Sequence, residues 1–293
     1  KIVGEWWTIA TNPDLGGYST DQQETMDFGI WQAADGSWQL GACIRGTACG
    51  GHGRLLYRWQ SASIEVSDWI PKGIIFEADP LVGETLGGLQ APYVIRDGRE
   101  FVMVYGDWVN ICMAISADGK SFNRRLNSLG QSAQFGEGEN SNTRDPMLFK
   151  HEDKYFAYYT GVIDGSGAIY CRTSENLRDW SESCVVSAGG SGGSGASDAE
   201  CAFVCYQEAT DNFYLFRWHS DRLTSVYQSA DPMDFGINDD SKRICVLPIE
   251  VARIIEFDGN LYISSLLDDY TGIRLARMAW LESEPSSGCP SIA

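Results

Sequence analysis

The sequence has no apolar run near the roughly 18 residues that a membrane-spanning helix needs, and no membrane partner is expected. Positive charge is scarce: 22 Lys and Arg face 40 Asp and Glu, for a formal charge of −18. Such a surface repels phosphate backbones, and no Lys/Arg stripe offsets it, so nucleic acid is not an expected partner. A neutral or weakly charged ligand fits this balance best. Helical periodicity is missing too, because no stretch of a dozen residues sustains apolar spacing at i, i+3, i+4 and i+7. That excludes a helix bundle. Paired CxxC motifs are absent, which argues against structural zinc. The nine cysteines are scattered and odd in number, and most are expected to be buried free thiols. If the chain carries a disulfide, Cys43 with Cys49 is the nearest candidate pair. The chain starts at Lys1 without Met or a signal segment, so any leader is expected to have been removed or to lie outside this sequence. Low complexity is confined to GGSGGSGA, Gly189 to Ala196. This stretch has the composition of a flexible linker and is expected to be a mobile loop.

What the chain does have is aromatics, with 10 Trp, 13 Tyr and 12 Phe, and a repeat of roughly 50 to 65 residues. Five segments read as β-hairpins: DFGIWQAADGSWQLGACI from Asp27, APYVIRDGREFVMVYGDW from Ala91, DPMLFKHEDKYFAYYTG from Asp145, ECAFVCYQEATDNFYLFRW from Glu200 and ARIIEFDGNLYISSL from Ala252. β-Branched and aromatic residues fill the arms, and Asp-Gly or a polar cluster makes each turn. In four units a third strand follows and ends in a Ser-plus-aromatic pattern, closing at Trp69, Phe122, Trp180 and Phe235. Five such units, spanning roughly 25–70, 87–125, 142–185, 198–237 and 250–282, predict one all-β domain, a five-bladed β-propeller. The segment KIVGEWWTIA is expected to supply a strand that closes the ring.

Aligning the five units on their apolar triplets puts Asp27, Ala91, Asp145, Glu200 and Ala252 at one position. In a propeller that position opens on one mouth of the central channel, so three acids are expected to share a pocket. Asp at a strand entry can also serve merely to accept turn amides. Three acids at one ring position repel one another and must be held there by the fold. Neighbouring carboxylates whose pKa values are split are what glycosidic cleavage requires: one donates a proton and the other acts as base or nucleophile. Gln90, Asp107, Trp108, Arg144 and Arg253, near the same strand ends, are candidate sugar-binding residues. His52, in the loop GTACGGHGR, and His219 are expected to be structural.

These residues resemble the five-bladed propeller glycoside hydrolases of families 32, 43, 62, 68 and 117. Arg144-Asp145-Pro146 is similar to an Arg-Asp-Pro motif whose Asp stabilises the transition state, and Glu200-Cys201 to a Glu-Cys motif whose Glu is the general acid. Asp27 matches the first-blade Asp that is nucleophile in some of these families and general base in family 43. The sequence departs from family 32 at Met26-Asp27-Phe28-Gly29, so a fructan or sucrose substrate is not implied. The resemblance implies a glycosidase acting on a carbohydrate substrate, a furanoside such as an arabinofuranoside or an anhydro- or deoxy-sugar, most simply with inversion. No cofactor is expected to be required, similar enzymes hold a structural Ca²⁺ in the channel, and a secreted or periplasmic location is expected over a cytoplasmic one. The rival reading is a carbohydrate-binding propeller without catalysis.

Overall fold

The computed structural model describes residues 1–138 and 141–280; Cys289 and the last two positions of the fifth unit, 281–282, lie outside them. Among the described residues, twenty-one strands form five antiparallel sheets. The first strand, β1 (Ile2–Thr11), precedes a first blade of β2 (Glu24–Gln32), β3 (Trp38–Arg45), β4 (Leu55–Ser61) and β5 (Ile70–Phe76). The second blade holds β6 (Gln90–Asp97), β7 (Glu100–Gly106), β8 (Asn110–Ser116), β9 (Asn123–Arg124) and β10 (Ala133–Gly136). The third holds β11 (Asn142–His151), β12 (Lys154–Ile163), β13 (Ser166–Ser174) and β14 (Cys184–Ser187). The fourth holds β15 (Glu200–Gln207), β16 (Asn212–His219), β17 (Leu223–Ser229) and β18 (Arg243–Leu247). β19 (Ile254–Phe257), β20 (Asn260–Leu266) and β21 (Gly272–Met278) make the fifth, and β1 pairs with β21 as its outer strand. The fold is a five-bladed propeller, and a strand from the chain start closes its last blade. Closure of this kind leaves only short, protected edges.

The aromatic hairpins bury their side chains between neighbouring blades. Phe28, Leu40 and Trp59 of the first blade pack on Tyr262 and Leu275 of the fifth. Trp31 and Leu56 pack on Phe101 and Tyr105 of the second, and Val102 and Met113 of the second meet Tyr155 and Tyr159 of the third. Phe156 and Tyr158 continue the layer into Phe203, Phe213 and Phe216 of the fourth. The repeated Ser at the third strand's end has a plain cause. Ser61, Ser116, Ser174 and Ser229 each accept, through the hydroxyl, the N–H two residues on, at 3.1–3.2 Å. The hydroxyl thereby fixes the turn that leaves the sheet.

One further repeat decides where the site forms. The innermost strands of blades one to four each break register against their partner in a β-bulge: between Met26 and Phe28, Gln90 and Tyr93, Arg144 and Met147, and Glu200 and Phe203. The left-handed residues there are Asp27, Ala91, Asp145 and Cys201, and the fifth blade adds Val251, with φ between 29° and 55°. None is glycine, so the conformation is imposed by the packed blade around it. The structural ring position is therefore 27, 91, 145, 201 and 251. Glu200 sits one residue before it, level with Met26, Gln90 and Arg144, so the alignment drawn from sequence is one residue out in blades four and five. An apolar triplet keeps its alternation through a bulge only on one side, so phasing on such triplets cannot see the extra residue.

Candidate active site

Residues from four blades converge on a cavity of about 420 Å³, lined by Asp27, Gln90, Trp108, Arg144, Asp145 and Glu200 among others. Bulges place a side chain away from the regular pleat, and here they turn two aspartates toward one point. Asp27, Asp145 and Cys201 each offer a ligand atom within 4.8 Å of the other two. The Cys201 thiol donates to Asp27 Oδ1 at 3.3 Å, and its backbone N–H lies 3.4 Å from Asp145 Oδ2. Burial, with the charges of Asp145 and Asp27 behind it, pushes that thiol well above its ordinary range, so it stays a donor. Cys201 thus links the two aspartates, a role that its place in the Glu-Cys pair did not reveal.

Arg144 organises the third acid. Its Nε and Nη2 both donate to Glu200 Oε1, the Nε bond being 3.0 Å, and Nε also lies 3.6 Å from Asp145 Oδ2. Both contacts fall on one oxygen of Glu200, which leaves Oε2 to carry a proton. Burial raises Glu200 to about 7, Asp145 adding to the effect and Arg144 opposing it. Asp145 is raised to about 6 by burial and then by the charge of Asp27. Desolvation outweighs the arginine in both, and Glu200 is raised the further, the condition for a carboxyl that keeps a proton near neutral pH. Asp145 Oδ1 and Gln90 Oε1 are buried without a partner.

The Gly/Ser stretch expected to be a mobile linker instead has a fixed backbone, and its last residue, Ala196, lines this cavity. Gly190–Gly192 forms a turn of 3-10 helix, and Arg217, 1% exposed, donates to the carbonyls of Gly189, Gly193 and Asp198 and to Ser187 Oγ. The Ala196 carbonyl then accepts from Arg144 Nη2 at 2.8 Å. Gly193 has φ +85°, and a Cβ there would overlap the Asp198 carboxylate, so glycine is required for packing rather than for mobility.

Two candidate binding residues lie outside the cavity lining. Asp107 is wholly buried and accepts the N–H groups of Val109 and Asn110, which makes it a turn residue. Arg253, 2% exposed, donates to the carbonyls of Phe28, Cys201, Ala202 and Ala252. Bulges free carbonyls from the ladder, and Arg253 satisfies them across blades one, four and five. Sequence reasoning passed over Arg45, Arg54, Asn142 and Trp218, which do line the cavity. The only signal was Arg54 in the glycine-rich loop noted for His52. Cys43 and Cys49 are both free, Cys43 buried with its thiol on the Leu89 carbonyl, so they do not form the suggested disulfide. His219 is held by Asp221 and Ser225 away from the cavity.

The class defined by this geometry is a five-bladed propeller with an acidic cavity at the start of its inner strands. No family model matches the chain, and no curated protein matches it. Solved structures do. A thermostable family-43 glycoside hydrolase is 16% identical over 94% of each chain, with a TM-score of 0.67. A family-43 β-xylosidase/α-arabinofuranosidase from a compost microbial metagenome, solved with xylotriose in a calcium-free form, is 14% identical. That match covers 91% of this chain and 95% of the other, with a TM-score of 0.65. The catalytic domain of a family-62 α-L-arabinofuranosidase from Coprinopsis cinerea is 14% identical over 93% and 96%, with a TM-score of 0.60. At these identities the likeness is one of fold.

Proposed function

We propose that the protein is a glycoside hydrolase in which Glu200 is the general acid, Asp27 the general base and Asp145 the residue that tunes the acid. The observation that carries this is the meeting of three carboxylates from three blades in one cavity, one of them raised to about 7. Water deprotonated by Asp27 attacks the anomeric carbon, the glycosidic C–O bond breaks, and the departing oxygen takes the proton from Glu200 Oε2. Arg144 keeps Oε1 in place throughout. The charge of Asp145 offsets the oxocarbenium-like charge that develops on the sugar. The similar solved structures include xylosidases and arabinofuranosidases, which supports a pentose glycoside, a furanoside among them, as the first substrate to try.

Among the described residues, the groups beside the three carboxylates do not make a suitable donor set for calcium. Ca²⁺ takes six to eight oxygen ligands, whereas the carbonyls of Phe28, Cys201, Ala202 and Ala252 are taken by the Arg253 guanidinium, and the nearby acidic group includes a thiol. No step of the mechanism is routed through a metal. The test is a panel of aryl glycosides and oligosaccharides given to wild type and Asp27→Asn, with the anomer of the first product read by NMR. Turnover by wild type alone, with inverted anomer, supports the reading; wild type that binds sugars and cleaves none leaves a carbohydrate-binding propeller in its place.

A further inference from the structure

Three arginines, Arg45, Arg54 and Arg144, line the cavity of a protein with only 22 basic residues and a charge of −18. Two of them are committed. Arg144 holds Glu200, and Arg45 is paired with Glu24. Among the described residues Arg54 enters no ion pair. Its guanidinium carbon lies 5.2 Å from the centroid of the Trp108 ring. At that distance the ring attracts the cation without forming a hydrogen bond to it, and a guanidinium's N–H fork matches a carboxylate or a sulfate.

The position is rigid. Arg54 N–H donates to the Gly87 carbonyl at 2.9 Å and His52 N–H to that of Leu86 at 3.1 Å, clamping a loop of the first blade to one of the second. A Cβ at Gly51, which has φ +55°, would overlap the Leu86 carbonyl, so the clamp closes to backbone contact. The His52 ring lies flat on Trp108, with centroids 3.8 Å apart and planes at 9°. Trp108 itself holds φ 86°, a conformation a tryptophan keeps only where its surroundings impose it.

We propose that Arg54 recognises an anionic substituent on the sugar, a uronate carboxylate or a sulfate ester, so that the substrate is an acidic glycoside. The proposal rests on the glycosidase reading and deepens it. It also reverses, for this site, the expectation of a neutral ligand. Net charge acts over distances screened within about 10 Å, whereas recognition is decided by the group at hydrogen-bond range. The carboxylates in the same cavity repel the anion, and of the three arginines that line it Arg54 is the one without an ion pair among the described residues.

The experiment uses full-length Glu200→Gln protein, titrated calorimetrically with xylotriose, a glucuronate-bearing oligosaccharide of similar length, and a sulfated one. The expected result is that one of the acidic ligands binds at least about tenfold tighter than xylotriose, which identifies the anion. Adding Arg54→Gln then weakens that ligand by about 10- to 100-fold and erases the preference, while Arg54→Lys keeps part of it because a point charge replaces the fork. Xylotriose binding as tightly as both acidic ligands, no binding of either acidic ligand, or a preference that survives Arg54→Gln overturns the proposal. Circular dichroism checks each variant's fold, and Arg54→Lys carries the test if Arg54→Gln is unfolded. Failure of the glycosidase reading is seen separately, as wild type that binds the acidic sugar and releases no new reducing end.

Discussion

Blades one and three hold their acids differently from blade four. Asp27 and Asp145 occupy the left-handed bulge residue itself, and both are buried, at 8% and 2% exposure. In blade four that residue is Cys201, and the acid is displaced to Glu200, level with Met26 and Arg144. One repeated backbone device therefore gives two kinds of carboxyl. The aspartates are short, fixed by the backbone and tied together through Cys201; the glutamate is longer, half-buried, and held by a side chain. A base and a tuning charge suit the first setting. A proton donor that must reach a departing oxygen suits the second.

The largest expected effect tests that division. On an unactivated oligosaccharide, Asp27→Asn and Glu200→Gln each lower kcat/KM by about 10²- to 10⁴-fold. On an aryl glycoside whose leaving group needs no protonation, Glu200→Gln recovers most of its rate and Asp27→Asn does not. Equal recovery of both, or of neither, breaks the distinction between the two settings. The pH profile sharpens it: with Glu200 raised to about 7, wild-type rates on the unactivated substrate decline as pH climbs through about 7 and the acid loses its proton. The aryl substrate shows no such alkaline limb.

Next in size is the axis beneath the cavity. Arg253→Met removes the donor shared by four carbonyls and leaves them buried and unpaired, at a cost of about 3 kcal/mol or more. The thermal midpoint is expected to fall by on the order of 10 °C, as read by calorimetry. A sugar-binding arginine at the rim would instead raise KM with the midpoint unmoved.

The bulges explain what could be read from the chain and what could not. Asp-Gly turns, β-branched arms and the Ser that caps each third strand are local signals, so five blades and the order Asp, Asp, Glu were legible. The exact ring position was not, because the left-handed residues are Asp, Ala, Asp, Cys and Val and carry none of the glycine signature of such a backbone. Asp107 and Arg253 show the same limit for side chains. A polar residue at a strand end serves a ligand or the backbone with equal chemistry, and only the surrounding carbonyls and amides decide. Arg54 was hidden because its placement depends on the loop around Leu86, far away in sequence. GGSGGSGA has a linker's composition, yet its fixed backbone depends on Arg217, from the neighbouring strand β16.

A smaller effect concerns the cost of burying a bulge acid. Asp145 has its pKa raised to about 6 from an ordinary 3.8, by burial first and Asp27 second. Between those pH values the folded protein binds more protons at this residue than the unfolded chain, so stability is lost as pH rises from about 4 to about 6. Asp145→Asn removes that loss. At pH 7.5 the variant is expected to be more stable than wild type by on the order of 1 to 3 kcal/mol, and the gap closes near pH 4. Chemical denaturation at the two pH values measures it. A variant less stable than wild type at pH 7.5 would mean that its contacts with Arg144 and Cys201 outweigh its burial.

The smallest effect separates Cys201, bonded to Asp27 and Asp145, from the thiols on the outer strands. Alkylation requires a thiolate and access, and Cys201 has neither: it is 2% exposed and its pKa is raised by burial, Asp145 and Asp27. Cys184 and Cys245 are exposed. Brief treatment of the native protein with iodoacetamide is therefore expected to modify Cys184 and Cys245 first, with no change in glycosidase rate, because both lie on outer strands of their blades. Peptide mass mapping reads the order. Modification of Cys201 at a comparable rate would show that the bulge around it opens in solution, and the two aspartates could then no longer be described as held by a closed bulge. Protection of Cys201 alone by a bound sugar would locate that opening in the cavity itself.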